Sequence, residues 1–281
     1  MAQLSLDMML VDEILLRALR EDMPMGDLTT DGTIPETQEG SARIIAKEEG
    51  VVAGLPVFMR TFTLLDPRAS FNLLVEEGDF VEKGKVLMTF GGNARALLKG
   101  ERTALNLLQR MSGIATMTRR FADALSETKA KIVDTRKTAP GLRYLDKYAV
   151  RAGGGTNHRF CLSDGVLIKD NHIKASGSIT EAVKRVRAVV PHTIRIEVEA
   201  ESADMVKEAL EAGADIIMLD NMTCGEMAEA VRFVAGRALT EASGNVTVEK
   251  AAAIGATGVD LISSGALTHS VKAMDISMRF D

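Results

Sequence analysis

Apolar positions recur along this chain with two different periods, and the changeover divides it. From Leu4 to Arg20 leucines and isoleucines stand at helical spacing, and the helix they predict stops before Met23-Pro24, where proline disfavours a helical predecessor. From Ser41 to Phe90 the runs ARIIAKEEGVVAGLPVF and FNLLVEEGDFVEKGKVLMTF carry β-branched residues broken by Gly50, Gly54, Gly78 and Gly84. That pattern predicts short strands separated by turns. From Glu101 the segment TALNLLQRMSGIATMTRRFADALS returns to a helical period, with an interruption expected near Gly113.

Beyond that helix apolar strands recur, each followed by a helical pattern: Ile132–Asp134, Val166–Ile168, Ile194–Val198, Ile216–Leu219, Leu239–Ala242 and Leu261–Ser263. Strands spaced by about twenty to thirty-four residues are βα units and predict a parallel sheet. Six such units fit a closed or nearly closed β/α barrel better than a doubly wound sheet, and no GxGxxG fingerprint opens the series. In such barrels the chemistry sits at the C-terminal strand ends, with phosphate often held after the last two. The residues that follow the strands are Thr135-Arg136-Lys137, Lys169-Asp170-Asn171-His172, Glu199, Asp220-Asn221, Ser243-Gly244-Asn245 and Ser264-Gly265-Ala266. Polar ends and small-residue loops therefore converge on one face.

Composition narrows the setting. At 281 residues the chain suits one large or two modest domains and needs no disulfide or metal as a staple. A formal net charge of −5 argues against sequence-independent nucleic-acid binding, which needs a basic surface. The apolar runs fall short of the roughly 18 residues that span a bilayer. MAQLSLDMMLVDEILL has acidic residues and no basic leader, and Cys161 and Cys224 lack metal spacing. A reducing, cytoplasmic location without membrane or nucleic-acid partners is expected.

Within this acidic chain one segment is locally basic. Residues 131–174 hold nine Lys or Arg (131, 136, 137, 143, 147, 151, 159, 169 and 174) against four Asp (134, 146, 164 and 170). A solvated helix face accounts for Lys147 and Arg151, but Arg136, Lys137 and Lys169 sit at strand ends, where a barrel points inward. One close cation–carboxylate contact contributes about 4 kcal/mol before desolvation at an effective dielectric near 20. Several are needed to hold a small dianion out of water, and arginine adds a planar fork that fits carboxylates. His158, after the Gly153-Gly154-Gly155 loop, reads as core filler, a general acid or a hydrogen-bond donor to substrate.

The anionic residues follow a different rule. In IEVEAE, Glu197, Glu199 and Glu201 share one face while Ile196, Val198 and Ala200 share the other. With the apolar set packed outward, the carboxylates face the lumen and need cations or a metal. Glu199 and Asp220, on neighbouring strand ends, suit a Mg²⁺–diphosphate or ribose hydroxyls. EASGN and SSGAL offer backbone N–H groups to a monophosphate.

TRKTAPGLR, KYAVRAGGG, NHR, LIKDNH, EVEAE, MLDN, EASG and GALTHS, with GDLTT and ERTALNLLQRMSGIAT before them, occur in the order and spacing of one family. Over about residues 10–281 the chain resembles quinolinate phosphoribosyltransferases. The resemblance implies an N-terminal α/β sandwich domain (residues 1–112, with 270–281 returning to it) and an open, seven-stranded β/α barrel (113–269), assembled as dimers or multiples of dimers. It implies decarboxylating phosphoribosyl transfer from phosphoribosyl pyrophosphate to quinolinate with Mg²⁺, which makes nicotinate mononucleotide for NAD biosynthesis. Arg136, His158, Arg159 and Lys169 would bind the quinolinate carboxylates, and Arg102 would reach into the neighbouring subunit's site. Lys137, Glu199 and Asp220 would engage pyrophosphate, Mg²⁺ and ribose and carry the catalytic roles. Thr135 would line the substrate site, and Ser243-Gly244-Asn245 and Ser264-Gly265-Ala266 would hold the 5′-phosphate. Three departures stand out: Asn245 replaces a second glycine, Phe160-Cys161 could narrow the pocket, and Ala139 replaces a threonine.

Rival readings remain open at this level. Lys169 at a strand end would also suit a Schiff-base aldolase. VEEGDFVEKGKVL resembles a biotinyl or lipoyl hairpin without its modified lysine in the usual setting. A related transferase could act on another anionic ring.

Overall fold

Asp7 starts the first described helix: its carboxylate accepts the Met9 amide at 2.9 Å, and Val11, Leu15 and Leu19 follow at four-residue spacing on a buried face. This helix, α1 (Met8–Asp22), ends ahead of Pro24 as expected. The computed structural model describes residues 5–281, so the Leu4 start lies outside the described residues. Next come α2 (Leu28–Thr33), β1 (Glu39–Ala46), β2 (Gly50–Val51), α3 (Leu55–Leu65), β3 (Ser70–Leu73), β4 (Phe80–Val81), β5 (Val86–Asn93) and α4 (Ala94–Ala124).

Two expectations for this half are corrected. The segment LPVFMRTFTLL has the Phe, Val and Thr of a strand yet forms α3, because a distant carboxylate caps it: Glu77 accepts the amides of Gly54 and Leu55 at 2.5 and 3.0 Å. Gly113 does not interrupt α4, which runs unbroken for 31 residues. A Cβ at Gly113 would stand 2.2 Å from the Lys272 carbonyl oxygen, so the glycine serves a close backbone approach rather than a break.

The alternating series follows: β6 (Lys131–Val133), α5 (Arg143–Ala152), β7 (Val166–Ile168), α6 (Asp170–Ser176), α7 (Ile179–Arg187), β8 (Ile196–Ala200), α8 (Ala203–Glu211), β9 (Ile216–Asp220), α9 (Cys224–Val234), β10 (Leu239–Ser243), α10 (Val248–Gly255), β11 (Leu261–Ser263), α11 (Ala266–His269) and β12 (Ile276–Phe280). The chain divides into two compact units. One comprises the residues up to 119 with 139–154 and 270–281, and the other 120–138 with 155–269.

The first unit is built on an antiparallel sheet of order β12-β1-β5-β3. Ala42, Ile44 and Ala46 of β1 are buried in a core shared with Phe58 and Phe62 of α3 and Leu105 and Leu108 of α4. Phe90 of β5 anchors it, 4.9 Å from the Phe62 ring and edge-on to Phe58 at 5.5 Å. The carrier-like run does not form a hairpin, since β4 pairs with β2 whereas β5 pairs with β1 and β3. Helix α5 belongs to this unit although it lies between two barrel strands in sequence. Its Asp146, fully buried, accepts two hydrogen bonds of 2.8 Å from Arg110. Lys147 is only 2% exposed, so the solvated-face reading fails for it; Leu145, Tyr148, Ala149 and Val150 are buried too, and Arg151 alone of the two cations is exposed.

The second unit is a parallel sheet of order β6-β11-β10-β9-β8-β7 wrapped by helices, an open β/α barrel. A single bridge from Thr156 to Val133 marks a seventh position beside β6. All six strands read from the apolar pattern are present. Among the described residues, no helix is long and apolar enough to cross a membrane.

Candidate active site

Strand register decides which side chains share the barrel mouth. Asp220 ends β9 opposite Ser243 of β10, and Glu199 of β8 stands beside Met218 of β9. Together with the ends of β6, β7 and β11 they line one cavity of about 980 Å³ that lies wholly in the second unit. Its cations are Arg136, Lys137, Arg159, Lys169 and Lys250, and its carboxylates are Glu199, Asp220 and Glu241. The preponderance of cations suits a substrate with several negative charges.

The segment after β6 is held from below. Asp134, fully buried, accepts a hydrogen bond from Asn157 Nδ2 at 2.6 Å and from the His158 amide at 2.9 Å. This locks the stretch after the glycine triplet against the strand end. The Lys137 amide donates to Thr135 Oγ1 at 3.0 Å, and Thr268 Oγ1 donates to the Lys137 carbonyl at 2.9 Å, which fixes the loop carrying Arg136 and Lys137. Arg159 donates from Nη1 to the Gly165 carbonyl at 2.7 Å. Burial, then the nearby Arg136, hold the Arg159 guanidinium below its ordinary range, so a bound carboxylate would relieve both.

The His158 imidazole lines the same cavity and is engaged within the protein: Nε2 lies 2.9 Å from Glu197 Oε2 and Nδ1 accepts the Arg159 amide at 2.7 Å. The expectation of carboxylates facing the lumen thus holds for Glu197, which is 3% exposed and meets a histidine. Lys169, at the end of β7, pairs with Glu199 Oε2 at 2.7 Å. Asp220 accepts from Asn221 Nδ2 at 2.7 Å. Glu199, Glu201 and Asp220 bring ligand-capable oxygens within 4.8 Å of one another.

Two turns complete the mouth. Gly244 has φ +97°, and a Cβ there would stand 2.2 Å from Asn221 Oδ1. Asn245 follows at φ +48°, a left-handed conformation that asparagine tolerates better than most residues, which explains how it can occupy a glycine position. After β11 the Ser264 amide donates to the Val133 carbonyl at 3.1 Å. Gly265 leaves room for Lys137 and His269, whose side chains would lie 2.7 and 2.8 Å from a Cβ there.

The residues given site roles by the family resemblance all line this cavity except Arg102, which is exposed on α4 in the first unit, whereas Asp170, Asn171 and His172 after β7 do not line it. Phe160 and Cys161 are not among the residues that line it, and Phe160 is 40% exposed. Sequence reasoning missed Glu241, Lys250 and His269 as lining residues, while Glu201, read there only as one of three carboxylates on a shared face, joins Glu199 and Asp220. Glu241 had one visible signal, a single charged residue inside the strand LTEAS. Lys250 sits in an ordinary helical context that gave none, and His269 lies within the GALTHS block without having been assigned a role.

Family models agree with this architecture. The one for the N-terminal domain of quinolinate phosphoribosyl transferase matches residues 27–112, and the one for the C-terminal domain matches residues 114–279. The chain belongs to the quinolinate phosphoribosyltransferase family. A probable nicotinate-nucleotide pyrophosphorylase [carboxylating] of Bacillus subtilis (strain 168) is 50% identical over 92% of this chain and 89% of its own length. A mitochondrial quinolinate phosphoribosyltransferase [decarboxylating] 2 of Nicotiana glauca is 46% identical over 96% and 82%. The crystal structure of NadC from Streptococcus pyogenes superposes with a TM-score of 0.94 at 44% identity, covering 98% of this chain and 97% of that one.

Proposed function

We propose that this family member transfers the phosphoribosyl group of phosphoribosyl pyrophosphate to quinolinate and decarboxylates the product to nicotinate mononucleotide. The observation that carries the reading is the single cavity in which Arg136, Arg159 and Lys169 meet Glu199, Asp220 and two small-residue turns. Arg136, Arg159 and Lys169 hold the two ring carboxylates, and Thr135 lines the same pocket. The turns at 243–245 and 264–266 hold the 5′-phosphate, and Lys137 faces the pyrophosphate. Glu199, Glu201 and Asp220 form a set of oxygen donors that fits Mg²⁺, which would spread the leaving group's charge.

The chemistry needs positioning more than a covalent nucleophile. The ring nitrogen's lone pair forms the bond to the ribose C1 while the C1–O bond breaks and pyrophosphate leaves with its electron pair. Glu199 and Asp220 stabilise the positive charge that develops on the ribose. The quaternised ring then accepts the electron pair of the carbon–carboxylate bond, carbon dioxide departs, and the ring carbon takes up a proton. Lys169 is engaged with Glu199 at 2.7 Å, which favours anion binding over Schiff-base chemistry.

Arg102, exposed on α4, is read as the residue that completes the site of a neighbouring subunit in a homodimer. The two unbridged cysteines suit a reducing, cytoplasmic location. Incubation with quinolinate and phosphoribosyl pyrophosphate, following carbon dioxide and nicotinate mononucleotide, tests the reaction. Nicotinate should be used hardly at all, because one missing carboxylate leaves cations unpaired at about 2–5 kcal/mol. Equal turnover of nicotinate would sink the reading.

A further inference from the structure

Beneath the cationic wall, Asp134, His158, Glu197 and Glu241 form one cluster, and their protonation can be read from their hydrogen bonds. His158 Nδ1 faces the Arg159 amide at 2.7 Å. A peptide N–H is always a donor, so Nδ1 presents its lone pair and the ring proton sits on Nε2, directed at Glu197 Oε2 at 2.9 Å. This hydrogen-bond pattern is that of a neutral imidazole. The same tautomer rules out a metal, although His158, Glu197 and Glu241 lie close enough to hold one. A metal-bound histidine donates from its second nitrogen, whereas here that nitrogen accepts.

The carboxyls can then be sorted. Asp134 accepts from Asn157 and the His158 amide, and Glu197 accepts from the imidazole. Glu241, 1% exposed, keeps Oε1 without a hydrogen-bond partner and 3.8 Å from His158 Nε2. The groups facing it are Glu197 from β8, His158, Asp134 at the end of β6 and Ser263 from β11, while its neighbour across β9 is the apolar Met218. Oε1 of Glu197 is likewise buried and without a partner. A proton on Glu241 turns one of two orphan acceptors into a donor. Burial, then the like charge of Glu197, push the Glu241 carboxyl up to about 8 against the opposing pull of His158 and a hydrogen bond from Ser263.

We propose that Glu241, a lining residue of the cavity, is held as a neutral carboxylic acid and that its protonation is coupled to binding of the dianionic substrate. The inference rests on the quinolinate reading of the cavity. Two incoming carboxylates add negative charge above an already acidic floor, so the bound state holds the Glu241 proton more tightly than the free state. Below about pH 8 the proton is already present and binding takes up none. Above it the free protein has lost the proton, and binding must recover it. Apparent affinity then falls by up to about tenfold per pH unit.

Calorimetric titration of quinolinate into the full-length protein, at pH 6.5 and pH 9 in two buffers of different ionisation enthalpy, counts the protons exchanged. Uptake near zero at the lower pH and approaching one at the higher supports the inference. Glu241→Gln, which mimics the neutral acid, should abolish the uptake and flatten the pH dependence of Kd. Glu197→Gln removes the like charge and should move the onset of weakening to lower pH, an independent check should the first variant not fold. No uptake by the wild type at pH 9, or undiminished uptake by Glu241→Gln, overturns the inference, as does an unmoved onset in Glu197→Gln. Failure of quinolinate to bind at either pH instead overturns the quinolinate reading, and this inference with it.

Discussion

Replacing Gly244 by alanine puts one methyl group where the barrel mouth has no room for it. At φ +97° an L side chain is strained, and the new Cβ would stand 2.2 Å from Asn221 Oδ1 and 2.9 Å from the Asn221 amide nitrogen. Backbone strain of this kind costs about 1–3 kcal/mol. Overpacking costs about the same again. One shift of the turn relieves both, so the two do not add in full and about 3 kcal/mol is the working figure. If the 243–245 turn holds the 5′-phosphate, that loss corresponds to about a hundredfold weaker use of phosphoribosyl pyrophosphate. Asn245→Gly, at a φ of +48° that glycine adopts freely, should cost far less. The assay is KM for phosphoribosyl pyrophosphate at saturating quinolinate, with calorimetric quinolinate binding as the control. An unchanged KM in Gly244→Ala would refute the phosphate assignment, and an equal loss of quinolinate binding would show that the whole mouth had collapsed.

Two further outcomes are expected. Arg159→Ala should weaken quinolinate binding and leave phosphoribosyl pyrophosphate binding nearly intact, whereas Asp220→Ala should do the reverse; calorimetry that finds equal losses of both ligands in both variants counts against the division of the site. Arg102→Ala and Arg136→Ala homodimers should each be nearly inactive, yet random re-pairing should restore about a quarter of normal activity, because half the dimers are mixed and each mixed dimer has one intact site. An isolated mixed dimer as inactive as its parents would mean that Arg102 does not act across an interface.

The periodic parts of this protein were legible without coordinates. Six apolar strands separated by helical patterns specify a parallel barrel because burial demands the same face at every turn. The polar residues just past each strand then had one place to go, so Arg136, Lys137, Lys169, Glu199 and Asp220 could be brought together on paper. What the pattern could not carry was the identity of partners distant in sequence. The strand-like LPVFMRTFTLL becomes a helix because Glu77, more than twenty residues on, satisfies its first amides. Gly113 sits in an unbroken helix and makes room for the Lys272 backbone that passes beside it, and Lys147 is buried with most of α5. Glu241 is a lone charge in an apolar strand until His158 and Glu197 are placed beside it. Local periodicity determines which face of an element is buried. Only the tertiary structure decides which hydrogen-bond donor or charge waits there, and with it the protonation state on which the site's chemistry depends.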